Sequence, residues 1–340
     1  MFDTILGRVS GGEDLTVDEM AEAIGLIMEG GCSDEQIALL LLGLRAKGES
    51  VDEVAGAALA MRQHMRRILS KHDDLLDTCG TGGDESGTFN ISTASAIVAS
   101  AAGAKVAKHG NRGITSHSGS SQVLETLGVN IQADLRQISA CLDEVGICFC
   151  FAPLMHPSMK HVATVRRELG VPTIFNMLGP LCNPAGAPHQ LLGVGRPELR
   201  PLLASALLKL GTRRALVVHG EDGLDEVTLA GETAVTEITN GQVNEFVWSP
   251  ADFGLNATGK EAMLVDGPNA SAAMIHSILD GAKGPPRDIV VMNSAAALVA
   301  AGIETSTLEA ANHAVKAIDS GAARFQLDEL VRVSSSSPTE

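Results

Sequence analysis

The stretch that most constrains this chain is Asp77-Thr78-Cys79-Gly80-Thr81-Gly82-Gly83-Asp84, continued by Glu85-Ser86-Gly87-Thr88-Phe89 into Asn90-Ile91-Ser92-Thr93. Leu75 and Leu76 predict a short buried strand before it, and 94–104 reads as an Ala/Ser-rich helix with Ile97 and Val98 as its apolar positions. A strand, a glycine turn and a helix start leave free backbone N–H groups close together, and glycines let a ligand approach them. That geometry favours a phosphate or a carboxylate. Neither familiar glycine fingerprint applies: no Gly-Lys-Ser/Thr closes the stretch, and the Gly80, Gly82, Gly83 spacing is not the dinucleotide one. Taken alone, a plain tight turn explains it equally well.

Around this stretch the hydrophobic pattern changes period. Residues 1–70 read as helices. The segment 16–29 carries Met20, Ile24, Leu26 and Ile27 on one face, opened by Thr16 and Glu19 as a capping box and ended by Gly30-Gly31. Ser33 and Gln36 open a second helix whose 37–44 run is apolar on nearly every side, which predicts a place at the centre of a bundle. A third follows Ser50, with Val51, Val54, Ala58 and Met61 at helical spacing. The unit reads as a packing or dimerisation module.

From Leu75 strands and helices alternate, which predicts an α/β domain with a mostly parallel sheet and helices on its faces. Strands are expected near 75–78, 105–107, 147–151 and 215–219. Each is followed by a loop rich in turn residues or charge: the glycine turn, then Lys108-His109-Gly110-Asn111-Arg112, then Ala152-Pro153-Leu154-Met155-His156-Pro157, then Gly220 through Asp225-Glu226. Ligands of open α/β sheets bind outside the carboxyl ends of the strands, so four such loops predict one crevice. The runs 233–238 and 242–248 around Asn240-Gly241 predict an edge hairpin. Residues 281–286 read as a turn before a further strand at 288–292, 295–300 and 308–318 as helices, and 331–340 as a disordered tail.

Charge then limits the ligand. With 41 acidic against 25 basic residues the net charge is −16, a poor match to nucleic acid, so any anion needs local donors. Lys108, His109 and Arg112 supply up to three cations after one strand; a solvated basic loop is the plainer reading. Asp225-Glu226 offers hard oxygens to magnesium, or is one more surface acidic pair. Of Arg166 and Arg167, one could fork onto a carboxylate, and His156 before a proline is a site residue or a structural histidine. Cys32, Cys79, Cys141, Cys148, Cys150 and Cys182 form no C-x-x-C pair, which fits free thiols in a reducing cytoplasm. No apolar run is long enough to span a bilayer, so no membrane is expected.

Gly80-Thr81-Gly82-Gly83-Asp84, Asn90-Ile91-Ser92-Thr93, Lys108-His109-Gly110-Asn111-Arg112, Arg166-Arg167-Glu168-Leu169-Gly170 with Thr173-Ile174-Phe175-Asn176, Leu178-Gly179-Pro180 and Asp225-Glu226 occur in this order along nearly the whole chain. Together they resemble the anthranilate phosphoribosyltransferase family. The resemblance implies a helical domain over 1–70 joined by a returning segment near 165–185, an α/β domain over 71–330, and a homodimer made through helices. It implies transfer of a phosphoribosyl group from phosphoribosyl diphosphate to anthranilate in tryptophan biosynthesis.

Carried over by position, Gly80, Gly83, Asp84, Thr88, Asn90, Ser92, Thr93, Lys108 and Ser120 would hold the donor. Gly80, Asn111 and Arg166 would meet anthranilate, and Ser92, Asp225 and Glu226 would bind two magnesium ions shared with the diphosphate. The expected substrate set also takes in Ile91, His109, Gly110, Arg112, Gly113, Ile114, Thr115, Ser116 and His156, with Lys108 and Arg166 as the catalytic pair. Gly113 and Gln122 depart from the family's usual loop, and Met155 stands where an aromatic is common. The competing readings are a pyrimidine nucleoside phosphorylase of the same broad fold and a non-catalytic, nucleic-acid-binding relative. Asn111-Arg112 and Asp225-Glu226 argue against the first, and the charge of −16 against the second.

Overall fold

Three reciprocal capping boxes start three of the four helices of the N-terminal unit, at Thr16 with Glu19, Ser33 with Gln36, and Ser50 with Glu53. Each cap is worth about 1 kcal/mol. In the computed structural model, which describes residues 2–84, 86–113 and 119–336, these helices are α1 (Phe2–Ser10), α2 (Val17–Met28), α3 (Asp34–Lys47) and α4 (Val51–Gln63). Ile37, Leu40, Leu41 and Leu44 of α3 are buried as expected, but Leu39 is 57% and Leu42 42% exposed. The helix therefore lies at the rim of the bundle, with a second apolar face outward.

The sheet has seven strands: β1 (Leu75–Gly80), β2 (Lys105–Gly110), β3 (Ile147–Phe151), β4 (His189–Gly193), β5 (Arg214–Gly220), β6 (Thr233–Thr239) and β7 (Gln242–Trp248). Their order is β3-β2-β1-β4-β5-β6-β7, parallel through β5 and antiparallel for the last two pairings. The chain winds outward from β1 to β3, returns through helices, and lays β4 on the other side of β1. The carboxyl end of β1 is thus a topological switch point, where an open sheet leaves a crevice. Asn240 (φ 51°) and Gly241 (φ 74°) make the expected hairpin turn, and β7 forms one edge of the sheet.

The two faces of the sheet feed two cores. Leu76, Val106, Leu191, Leu216 and Val218 face helix α5 (Ile91–Ala101) and the helix Pro285–Ala300. Leu192, Val194, Ala215 and Val217 face the other way, into a core shared with α1–α4, the helix Leu199–Lys209 and the returning segment through Val162, Val165, Phe175 and Leu181. Alternation along β4 and β5 therefore ties the helical unit to the sheet.

Three expectations are corrected. The run 288–292 is helical, the middle of Pro285–Ala300, because its apolar residues are buried on every side and short apolar runs carry no period of their own. The tail is not disordered from 331: the helix Ala322–Ser335 continues, with Ser334 buried and its hydroxyl accepting the Asn130 N–H at 3.0 Å. The central strand β4 has no counterpart among the expected strands.

Candidate active site

The ladder between β1 and β2 pairs only Leu75 with Lys105 and Leu76 with Val106. Beyond that point side chains take over from backbone. The buried Asp77 accepts the His109 N–H through Oδ1 at 3.0 Å, and Lys108 Nζ donates to the Thr78 carbonyl and, at 3.2 Å, to Ser92 Oγ. The strands part toward their carboxyl ends, and Lys108, 3% exposed, bridges the gap. Burial lowers its pKa, while Asp77, Cys79, Glu226 and Asp225 oppose that shift.

Gly82 (φ 65°) and Gly83 (φ 82°) turn the chain through the left-handed region, where any side chain would be strained. The Gly82 N–H donates to Asp225 Oδ2 at 3.1 Å, and the Ser92 N–H, in the first turn of α5, donates to Glu226 Oε1 at 3.0 Å. The donors expected to face an anion are therefore held by the acidic pair. Burial and neighbouring carboxylates raise the pKa of both acids, Asp225 to about 7 and Glu226 well above the usual carboxylate range. Asn293 fixes the backbone just beyond them, its amide bonding Val227 N–H at 2.9 Å and Val227 C=O at 2.8 Å.

Gly193 of β4 pairs with Gly80 and lies under the Asp225 backbone; a Cβ there would fall 1.6 Å from Asp225 O. Asn90 is bracketed by the buried Ser271, and Phe89 N–H donates to Met263 O at 2.9 Å. Neither β4 nor Ser271 was expected at the site; only the tight Gly193-Val194-Gly195 spacing hinted at a close backbone approach.

The site gathers Gly80, Gly83, Asp84, Ser92, Lys108, Asp225 and Glu226 around the end of β1. Other expectations change. Ile91 sends its side chain into the core, 1% exposed, and Thr93 is equally buried, so neither side chain is exposed at the site. Of the three expected cations, Arg112 is the exposed one, while His109 is buried and uncharged. Asn111 is exposed, its carbonyl accepting Ser120 Oγ at 3.3 Å, and Gly110 packs against Ser120 and Phe149. Thr88 Oγ1 lies 3.0 Å from Ser86 Oγ. Arg166 is partly buried, with its guanidinium 5.6 Å over the Phe175 ring. Ile114, Thr115 and Ser116 lie outside the described residues, whereas Gly113 is joined to Gly119 through Gln122.

His109 and His156 form a buried pair, Nε2 to Nε2 at 3.3 Å, with His109 Nδ1 at 3.0 Å from Gly179 O. Nδ1 of His109 is thereby assigned its proton, and His156 is held in turn by the Cys182 backbone. Burial lowers both pKa values, His109 to about 3 with His156 adding to the fall, and His156 to about 4. Both rings are neutral at pH 7. The unfolded chain takes up protons near pH 6.5 and the folded one does not, so stability present above pH 6.5 is lost as pH falls toward 4, by roughly 3 kcal/mol for His156. Urea unfolding at pH 7 and pH 4.5 is expected to show a smaller acid loss in His156→Gln than in wild type; identical losses would refute this assignment.

A helical bundle joined to an α/β domain of this build matches the glycosyl transferase family, the helical bundle domain over residues 3–65 and the α/β domain over residues 72–324. The anthranilate phosphoribosyltransferase of Rhodopirellula baltica is 50% identical over 329 residues, covering 97% of this chain and 96% of that one. The crystal structure of the Thermus thermophilus anthranilate phosphoribosyltransferase superposes with a TM-score of 0.92 at 41% identity, over 97% of this chain and 99% of that one. The Saccharomyces cerevisiae enzyme in complex with PRPP and Mg gives 0.89 at 28% identity, over 98% of each chain. The chain belongs to the anthranilate phosphoribosyltransferase family.

Proposed function

We propose that this protein transfers the 5-phosphoribosyl group of phosphoribosyl diphosphate to the amino group of anthranilate, releasing diphosphate, in tryptophan biosynthesis. The observation that carries this reading is the meeting of the glycine turn, the start of α5, Lys108 and the Asp225-Glu226 pair at the end of β1. A phosphate would compete with both carboxylates for the Gly82 and Ser92 N–H groups unless a divalent cation joined them. Among the described residues no three His, Cys, Asp or Glu side chains are grouped to hold a metal alone. Magnesium suits such a donor set, since it takes few protein oxygens and shares its shell with water and phosphates.

We assign Ser92, Asp225 and Glu226 to two magnesium ions, which would offset the charge gathering on the departing diphosphate. Lys108 and the backbone N–H groups of the glycine turn and α5 serve the same end, with Gly80, Gly83, Asp84, Thr88, Asn90 and Ser120 completing the donor site. An aromatic amine is neutral near pH 7, so placing it against the sugar carbon supplies much of the rate without a strong base. Arg166, planar and held over Phe175, is assigned to the anthranilate carboxylate with Gly80 and Asn111.

Loss of anthranilate fluorescence tests the reading. Wild type is expected to consume anthranilate only when PRPP and magnesium are both present, and Arg166→Ala to raise KM for anthranilate at least tenfold with PRPP affinity kept. Unchanged anthranilate kinetics would remove Arg166 from the site; no consumption by folded wild type would sink the reaction itself.

The outward Leu39 and Leu42, one turn apart on α3, support a homodimer through the helical unit, where a second copy would cover them. Leu39→Glu/Leu42→Glu is expected to sediment as a monomer where wild type sediments as a dimer; an unchanged sedimentation coefficient would exclude this face. The free cysteines fit the cytoplasm, and among the described residues no helix is long and apolar enough to cross a membrane.

A further inference from the structure

Gln122 closes a backbone neck beside the site. Its Oε1 accepts two N–H groups, from Gly113 at 3.3 Å and from Gly119 at 3.0 Å. The two segments it joins are so close that a Cβ on Gly119 would fall 1.9 Å from Gly113 N. Two residues before Gly113, Asn111 C=O accepts both Ser120 Oγ at 3.3 Å and Ser121 N–H at 3.3 Å. The two sides of this neck differ in anchorage. Ser120 and Gln122 belong to the helix Ser120–Thr126, which Val123 and Leu124 fix in the core. Asn111, Arg112 and Gly113 run on from the end of β2, and Asn111 and Arg112 are exposed.

We propose that Gln122 is a positioning residue for the acceptor substrate: by holding Gly113 to Gly119 it sets Asn111 at the mouth of the site. The inference rests on the acceptor role given to Asn111 above. An amide oxygen shared by two N–H groups ties Gly113 to the start of the helix, and its loss leaves the β2 side of the neck held only by the Ser120 and Ser121 bonds to Asn111 while Val123 and Leu124 stay packed. The donor site, on β1, α5 and the helix side of the neck, is left in place.

Two variants separate the tie from mere bulk. Gln122→Leu keeps the volume and removes the acceptor, and Gln122→Glu keeps an oxygen that can accept both N–H groups. Hydrogen exchange reads the neck without any substrate: the Gly113 and Gly119 amides are expected to exchange about tenfold faster in Gln122→Leu and near the wild-type rate in Gln122→Glu. Steady-state kinetics reads its purpose: KM for anthranilate is expected to rise about tenfold in Gln122→Leu, with KM for PRPP unchanged and anthranilate KM restored in Gln122→Glu. Unchanged exchange in Gln122→Leu, or equal rises in both KM values, would overturn the proposal, as would a Glu variant no better than Leu. Neck exchange behaving as described in a protein that consumes no anthranilate would instead count against the proposed reaction. Should Gln122→Leu not fold, Gln122→Ala gives the same comparison, and failure of both to fold would make Gln122 a folding residue and overturn the role claimed for it.

Discussion

Removing both acids in Asp225→Ala/Glu226→Ala is expected to cut magnesium-dependent turnover by about a thousandfold. The two side chains bond the Gly82 and Ser92 N–H groups, and although Asp84 lies near enough to raise the Asp225 pKa, among the described residues no three His, Cys, Asp or Glu side chains are grouped to hold a metal without them. The fold should survive. Burial first, then the charge of Asp84 on Asp225 and of Asp225 on Glu226, raises both pKa values, so the pair is held at an electrostatic cost that deleting both removes. Turnover across a magnesium titration and thermal melting without magnesium together form the check. A double variant that keeps a magnesium-stimulated rate within tenfold of wild type would show that the cation is held elsewhere. A collapse in melting temperature would instead make the pair structural.

The second large effect is expected at a residue that carries no chemistry. In Gly193→Ala the new Cβ would meet backbone, 1.6 Å from Asp225 O and 2.5 Å from its carbonyl carbon. Backbone has no rotamer with which to yield, so the 224–226 segment has to move. A loss of about 3 kcal/mol in stability is expected from such overpacking, and at least a hundredfold in turnover from a displacement of the order of 1 Å in the acidic pair. Gly80→Ala is the useful contrast, because its Cβ would meet the end of a side chain, Asp225 Oδ2, at 2.5 Å. Asp225 could swing aside and spare the fold while losing its place in the site. Urea unfolding and turnover of the two variants should therefore separate: both inactive, but only Gly193→Ala strongly destabilised. Equal stability would mean that the 224–226 segment is not tightly seated on β4.

Much of this was legible along the chain wherever the signal is local. Capping boxes at Thr16 and Ser33, the Asn240-Gly241 hairpin and the strand-turn-helix around Gly80 each depend on residues within a few positions of one another. The apolar run at 288–292 misled because a segment buried on all sides shows no period, and β4 went unseen because its five residues carry no alternation, although Asn183-Pro184, Gly186, Pro188 and Gly195 bound it with turn residues. The basic loop misled differently. Sequence shows that Lys108, His109 and Arg112 are basic, but the environment decides their charge: His109 is walled in with His156 and neutral, and Lys108 is turned inward to span two parted strands.

What the sequence by itself determined is the set of chemical groups and their order: glycines where the backbone must turn, hydroxyls at a helix start, a lysine after one strand and two acids after another. Which of them meet was decided by the tertiary structure. The strand order places β4 between β1 and β5, and this brings Asp225 to Gly82 across 143 positions and Glu226 to Ser92 across 134. Contacts that distant depend on how sheet faces pack and where a sheet changes its winding direction, a global balance of buried surface that no local pattern encodes.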